Sequence, residues 1–297
     1  MADHAGKMTP VRSTPTNFWN PRFSPDGRTL ALEVLDKQRD VWVYDLARDT
    51  MSRLTSGPNY GYPVWTPDGR RIAYASRGSS QGLFWLRADG SGEPQRLTES
   101  NLLQIPISFH PSGKFLAFQE PHPQTGPDIM ILPIEGDEAS GWKPGKATAF
   151  LASPSVENFA RFSPDGRWIA YMSQQTSRPE IYVRPFPSKE GKWQISTDGG
   201  VYPMWSTKSR ELFYRTEDQV IMVASYTVEG HSLRAAKPKV WARTQLAGQS
   251  GTYYFDLHPD GTRFVGIQNP SVVSDVHTDR VVFIFNFFDE LRRLTGK

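Results

Sequence analysis

Ser24-Pro25-Asp26-Gly27, followed by Arg28-Thr29-Leu30-Ala31-Leu32, reads as a tight turn leading into a strand, and the chain repeats it. It returns as Thr66-Pro67-Asp68-Gly69 before Arg70-Arg71-Ile72-Ala73-Tyr74, and as His110-Pro111-Ser112-Gly113 before Lys114-Phe115-Leu116-Ala117-Phe118. Ser163-Pro164-Asp165-Gly166 precedes Arg167-Trp168-Ile169-Ala170-Tyr171, and a degraded copy, Ser206-Thr207-Lys208-Ser209, precedes Arg210-Glu211-Leu212-Phe213-Tyr214. His258-Pro259-Asp260-Gly261 precedes Thr262-Arg263-Phe264-Val265-Gly266. The six copies start 42, 44, 53, 43 and 52 residues apart. Pro presets φ at the first central position, Asp bonds the backbone beyond it, and Gly takes the positive φ that closes a hairpin. A period in the forties built of short strands is the mark of a β-propeller with one blade per repeat. The expected fold is therefore all-β: a six-bladed β-propeller with four antiparallel strands per blade.

The totals agree with a single domain over 1–297, since a lone blade cannot bury its faces and neighbours must do so. The chain has 297 residues and no cysteine, which excludes disulfides, thiol catalysis and thiolate metal sites. Aromatic content is 12%, with nine Trp, as suits sheets packed face to face. Net charge is only +3, from 34 basic and 31 acidic residues, and no basic run is interleaved with aromatics, which argues against nucleic acid as a partner. No apolar run reaches the roughly 18 residues of a membrane span. Met1 to Met8 is polar and lacks an apolar signal region.

Residues 7–14 look like the closing strand of a blade without the rest of it, matching Ser52-Arg53-Leu54-Thr55-Ser56 and Gln95-Arg96-Leu97-Thr98-Glu99. Such a strand is expected to complete the last blade and tie the ring shut, removing open sheet edges. A polar insertion, Glu135 to Lys146, lengthens a loop in the third blade, and Gln268 to Asp279 forms a long loop in the sixth. Residues 287–297 read as a short C-terminal amphipathic helix and tail, with Phe288, Leu291 and Leu294 at helical spacing.

The repeat core Phe-Ser-Pro-Asp-Gly-Arg then Ile-Ala-Tyr resembles the propeller repeat of the TolB family, a WD-repeat-like six-bladed propeller. Arg161 to Tyr171, Glu180-Ile-Tyr-Val-Arg-Pro-Phe186 and Trp193-Gln-Ile-Ser-Thr-Asp-Gly-Gly200 are similar to the C-terminal sensor propellers of bacterial serine/threonine kinases. The ending Asn286 to Leu294 resembles how those proteins finish. The resemblance implies a bacterial, periplasmic or extracytoplasmic module, with any kinase lying upstream. The chain itself has neither a glycine-rich phosphate loop nor a His-Arg-Asp catalytic loop, and Gly248-Gln249-Ser250-Gly251 is not a Gly-x-Ser-x-Gly nucleophile elbow.

In a propeller the first strand of each blade lines the central channel. Alternation along those strands places two columns there: Asn20, Tyr62, Pro106, Phe159, Tyr202 and Tyr254 four residues before the turn, and Arg22, Val64, Ser108, Arg161, Met204 and Asp256 two before it. Trp19, Tyr60, Tyr62, Phe159, Tyr202 and Tyr254 form an expected aromatic rim, which with Asn20, Arg22, Gln104, Asn158, Arg161 and Asp256 makes a site for a protein, a peptide or a small ligand. The bland reading is that the rings pack blade to blade. No cofactor is required by this binding reading.

The competing reading is a hydrolase of lactones, esters or phosphotriesters. Six-bladed propellers of the gluconolactonase and paraoxonase type hold calcium in the channel with Glu, Asn and Asp. Here Asn20, Glu157, Asn158 and Asp256 would have to converge on calcium or another divalent metal. Glu157, with the loop histidines His122 and His277, supplies the catalytic candidates, while His110 and His258 occupy the Ser position of the turn and read as structural.

Overall fold

The computed structural model describes residues 9–11, 17–57, 59–78, 80–244, 246, 254–267 and 281–284. Among these the chain is all-β and contains no helix. The strands form six antiparallel sheets, each beginning with the strand that precedes one copy of the turn. Those first strands are Phe18–Phe23, Tyr60–Trp65, Ile105–Phe109, Glu157–Phe162, Val201–Trp205 and Phe255–Leu257, and they define sheets 1 to 6 in that order. In sheet 6, Thr9–Pro10 pairs with Val281–Ile284, so these two N-terminal residues join the last sheet; the rest of the expected closing segment 7–14, apart from Val11, lies outside the described residues. His277, the sixth-repeat loop and the expected C-terminal helix lie outside the described residues.

Sheets 3 and 5 depart from four strands. Gly141–Pro144 pairs with the far end of Gly126–Asp137, and Ser232–Ala235 with the far end of Val220–Glu229, as a fifth strand beside the regular fourth. The segment read as a polar insertion loop is thus a hairpin arm. Its turn is held by Asp137 Oδ1, which accepts from Ala139 N at 3.0 Å and Ser140 N at 2.7 Å.

Each turn is built as its residues dictate. Ser24 N donates to Thr29 O at 2.8 Å, Gly27 N to Ser24 O at 2.9 Å, and Arg28 N to Asp26 Oδ1 at 3.0 Å, while Ser24 Oγ bridges Asp26 and Thr29. Thr66 with Asp68 and Ser163 with Asp165 reproduce this set. The sheets are closed on their far side by a second repeated device. The hydroxyls of Thr55, Thr98 and Ser196 accept from Val41 N, Leu83 N and Ile181 N at 2.8–2.9 Å. Arg53, Arg96 and Gln194 then donate to the carbonyls of those hydroxyl residues.

The second strands supply the core: Leu30-Ala31-Leu32, Ile72-Ala73-Tyr74, Leu116-Ala117-Phe118 and Ile169-Ala170-Tyr171 are all buried. Turns of successive sheets touch. His110 Nε2 lies 3.2 Å from Gly166 O, and His258 Nε2 lies 3.2 Å from Gly27 O, so sheet 6 meets sheet 1 by the same contact that joins sheets 3 and 4. The two turn histidines are structural, as read.

This contact separates two glycines of equal conformation. Gly27 and Gly113 have φ of 73° and 74°, but a Cβ on Gly27 would lie 2.4 Å from His258 Nε2, whereas one on Gly113 would meet nothing within 4 Å. Gly113→Ala is expected to cost about 1–2 kcal/mol for its left-handed backbone. Gly27→Ala is expected to cost a further ~1–3 kcal/mol from overpacking. Urea unfolding midpoints check this; equal losses would contradict the contact.

Candidate functional site in the turn-side channel

The first strands are not regular. Each of the first five carries a register shift against its second strand, at Trp19/Arg22, Gly61/Val64, Pro106/Ser108, Asn158/Arg161 and Val201/Met204. In four of them two residues oppose one, and the first of the pair is left-handed: Asn20 (φ 49°), Tyr62 (56°), Phe159 (58°) and Tyr202 (56°). Left-handed backbone is unusual for bulky residues and is held here by the surrounding packing. The bulge breaks the two-residue alternation. The two columns expected to share the channel are therefore separated.

The column two residues before the turn lines one cavity of about 270 Å³, to which all six first strands contribute: Arg22, Val64, Ser108, Arg161, Met204 and Asp256. Their cross-strand partners are small in four sheets, Ala31, Ala73, Ala117 and Ala170, which leaves space behind the channel wall for the second strands to pack. The turn prolines Pro25, Pro67, Pro111, Pro164 and Pro259 line the same cavity. It opens on the side of the repeated turns, not on the side of the expected aromatic rim.

The other column packs between sheets. The rings of Phe159 and Tyr202 lie 4.3 Å apart, those of Tyr202 and Phe255 5.9 Å, and those of Trp19 and Tyr254 5.9 Å. Tyr60 stands edge-on to Tyr74 at 5.3 Å. Arg77 lies over the Tyr62 ring at 4.3 Å and Arg39 over Trp19 at 5.5 Å. Both arginines also ion-pair with fully buried Glu33, which accepts from Asn20 Nδ2 at 2.7 Å and Tyr62 N at 3.1 Å. Sequence reasoning missed Glu33; its signal was a lone charge among apolar neighbours in a second strand. Gln104 is buried between Thr98 and Glu120, donating to the latter. None of these residues lines the turn-side cavity.

The four oxygen donors considered for a metal have separate partners. Asp256 is engaged by two guanidiniums, Asn20 donates to Glu33, and Asn158 Oδ1 accepts from Phe159 N at 2.7 Å. Glu157 Oε1 accepts from Ser153 Oγ at 2.9 Å, and burial, with Asp128 nearby, pushes its carboxyl up. Glu157 Oε2 is buried with no hydrogen-bond partner among the described residues. No group of three or more His, Asp or Glu among the described residues could hold a metal. His122 is exposed at the tip of the sheet 3 hairpin, where its Nδ1 accepts from Gln124 N.

The charged centre of the cavity is Asp256. Arg161 Nη2 approaches its Oδ1 at 3.2 Å and Arg22 Nη1 at 3.5 Å, while Phe23 N donates to its Oδ2 at 2.9 Å. Arg22 also donates to Ile107 O at 3.4 Å. Sheets 1, 3, 4 and 6 are thus linked through two arginines and one carboxylate. Burial pushes the Asp256 carboxyl up to about 6, opposed by Arg161 and by backbone N–H donors. His258, on the same wall, is pushed down by burial and by Arg263.

No protein-family model matches the chain. The chain is 29% identical over 109 residues to the uncharacterised protein YidR of Escherichia coli (strain K12), covering 36% of this chain and 24% of that protein. It is 26% identical over 181 residues to the Tol-Pal system protein TolB of Francisella tularensis, covering 58% of this chain and 39% of that protein. The chain thus spans about a quarter to two fifths of the length of these relatives. Among solved structures, a TolB-like protein from Agrobacterium tumefaciens superposes with a TM-score of 0.62 at 19% identity, covering 93% of this chain and 92% of that one. The β-propeller domain of Cps50 (Swd1) from Myceliophteria thermophila gives 0.63 at 12% identity, covering 94% and 100%.

The fold is a TolB-type β-propeller.

An oligogalacturonate lyase in complex with manganese shares the propeller fold at a TM-score of 0.59 and 15% identity, covering 97% of this chain and 84% of that one. In this TolB-type propeller the first-strand column that reaches the cavity carries its charge on three residues from different blades. Because the Asp256 carboxyl is raised from 3.8 to about 6, the native state holds a proton that the unfolded chain has lost. Its stabilising contribution is complete below pH ~4 and is lost as pH rises through ~6. Relative to Asp256→Asn, the parent protein is expected to lose up to about 3 kcal/mol between pH 4 and 7. Urea unfolding of both proteins across that range checks the sign; a parent that gains stability on that rise would show a lowered carboxyl instead.

Proposed function

We propose that this chain is a non-catalytic binding propeller, a sensor or scaffold module that receives its ligand in the central channel from the turn side. The observation that carries the reading is the convergence of six first strands on one cavity whose only carboxylate among the described residues, Asp256, is ion-paired with two guanidiniums. A carboxylate committed to two guanidiniums is a poor metal ligand, and a well-formed cavity with a few convergent polar groups is a binding site by default. The six sheets are the blades of a ring closed by Thr9–Pro10 on Val281–Ile284, and 1–297 forms one domain. The contact of His258 with Gly27 supports that closure. The partner is a protein, a peptide or a small molecule, and the resemblance to kinase-attached sensor propellers suggests that a larger protein carries this module outside the cytoplasm. Among the described residues no helix is long and apolar enough to cross a membrane.

The hydrolase reading draws on the manganese-bound lyase that shares the fold, but the residues here do not fit one ion. Calcium takes six to eight oxygens around a point, and of the four donors considered Asp256 is ion-paired to two cations while Asn20 and Asn158 are bonded elsewhere. The two readings separate in one assay. Purified protein is analysed for metal and tested on lactone, aryl-ester and phosphotriester substrates before and after chelation. No retained metal and no turnover is the expected outcome; chelator-sensitive turnover that is lost in Glu157→Gln would replace the binding reading with the hydrolase.

A further inference from the structure

We infer that the groove between sheets 1 and 2, on the turn side, is the docking site for an extended segment of a partner protein that presents an aromatic side chain beside a basic one. The groove opens off the cavity to which binding is assigned above, and its role rests on that reading.

A ring is missing from this groove that other sheets supply from within. Where the third strand of each of the first five sheets passes its turn, one residue donates its N–H to the carbonyl of the residue that follows the turn. That residue is Leu46, Ala88, Ile134, Phe186 and Tyr226 in sheets 1 to 5. Where it is aromatic it covers the last residue of the first strand: Phe186 stands edge-on to Phe162 at 5.0 Å, and Tyr226 edge-on to Trp205 at 5.1 Å. In sheet 2 the corresponding pair is Ala88 and Trp65. With a methyl group in place of a ring, half-buried Trp65 becomes the wall of a groove of about 440 Å³.

The next groove shows the filled form. Between sheets 2 and 3, Arg71 and Trp85 stand where sheet 1 has Thr29 and Val43, and the space left is only about 110 Å³. The arm of sheet 3 closes it. Trp142 stands edge-on to Trp85 at 5.6 Å, Arg71 lies over the two rings at 5.2 and 5.6 Å, and Glu138 accepts from Arg71 Nη2 at 2.8 Å. The chain thus packs such a groove with indole rings and a guanidinium. Sheet 2 has no arm to do this for its neighbour, because its third strand ends at Arg87 and the chain turns at Asp89, whose Oδ1 accepts from Ser91 N at 2.9 Å.

Charge and continuity define the partner further. The groove is lined by three carboxylates, Asp26, Asp68 and Asp89, against two guanidiniums, Arg70 and Arg87. Hydrogen bonds within their own turns hold the Asp26 and Asp89 carboxyls below the usual range, so both are ionised near pH 7. Arg87 is also shared with Glu138 at 3.5 Å. The excess of negative charge favours a basic side chain next to the ring. Ser24, Pro25 and Trp65 line both the groove and the central cavity, so a segment seated in the cavity continues outward over them. An aromatic side chain in a preformed pocket is the usual anchor of such an interface.

The probes are three capped peptides, acetyl-Gly-Arg-Gly-Trp-Gly-amide and its counterparts with Ala for Trp or Glu for Arg; alternate residues of an extended chain share one face. Titration calorimetry at constant ionic strength is expected to show saturable binding of the Arg-Trp peptide, with each counterpart at least about tenfold weaker. Ala88→Phe, which supplies the ring that sheet 4 carries, is expected to weaken binding by a similar factor, and Val43→Trp, which copies sheet 2, is the second variant if the first does not fold. The inference is overturned if the Arg-Trp peptide does not saturate the parent protein, if either counterpart binds as well, or if a folded groove-filling variant binds like the parent. A dimer in sedimentation that Ala88→Phe abolishes would also overturn it, by making the occupant a second copy of this chain. Failure here leaves the non-catalytic reading of the central cavity standing, whereas turnover in the chelation assay would remove that reading without touching the groove.

Discussion

One carboxylate shared between two guanidiniums, Asp256 with Arg22 and Arg161, lines the cavity to which all six sheets contribute. The reason it matters is geometric. First strands of successive sheets touch without forming a continuous hydrogen-bonded sheet, so cross-links from side chains fasten them. Asp256 takes the Phe23 amide of sheet 1 as well as the two arginines. Other interfaces use neutral versions of the same device. Trp65 Nε1 donates to Arg22 O at 3.0 Å, Trp205 Nε1 to Arg161 O at 2.9 Å, and Ser108 Oγ to Ala160 O at 3.0 Å. The residues that fasten the sheets together and the residues that line the cavity are therefore the same short stretch of each first strand. Fold and candidate site share one construction.

The turn side of the molecule was legible in the sequence because its residues are chosen by backbone conformation. Pro, Asp and Gly at Pro25, Asp26 and Gly27 have a strong local reason to be there, and six copies multiply the signal. The far side of each sheet was legible in part: Arg53-Leu54-Thr55 and its copies marked a closing strand, and the hydroxyls that hold it are now visible. The hairpin arms of sheets 3 and 5 were not legible. Glu135 to Lys146 carries one large apolar residue, Trp142, so no alternation distinguishes a two-stranded arm from a loop.

The candidate site was half legible, and the missing half has a definite cause. A count of every second residue put Asn20, Tyr62, Phe159 and Tyr202 beside Arg22, Val64, Arg161 and Met204. A bulge intervenes in each strand, and the left-handed position is filled by Asn, Tyr, Phe and Tyr instead of Gly. Without glycine there is no local signal for the register change. Trp19, Phe159, Tyr202 and Tyr254 of the expected rim pack from sheet to sheet and Tyr60 against its own sheet, and the column nearer the turn keeps the cavity. Arg22, Arg161 and Asp256 were among the residues singled out, but their convergence depends on long-range register that no local pattern carries.

The most direct test of the account is a double-mutant cycle on Arg161 and Asp256, with Arg161→Gln, Asp256→Asn and the pair, each measured by urea unfolding at pH 7. If the carboxylate ties sheet 4 to sheet 6 across the cavity, the coupling energy is expected at about 1–3 kcal/mol, as for contacting residues in one network. Additive losses, with coupling within about 0.5 kcal/mol of zero, would contradict the central role given to this ion-pair cluster.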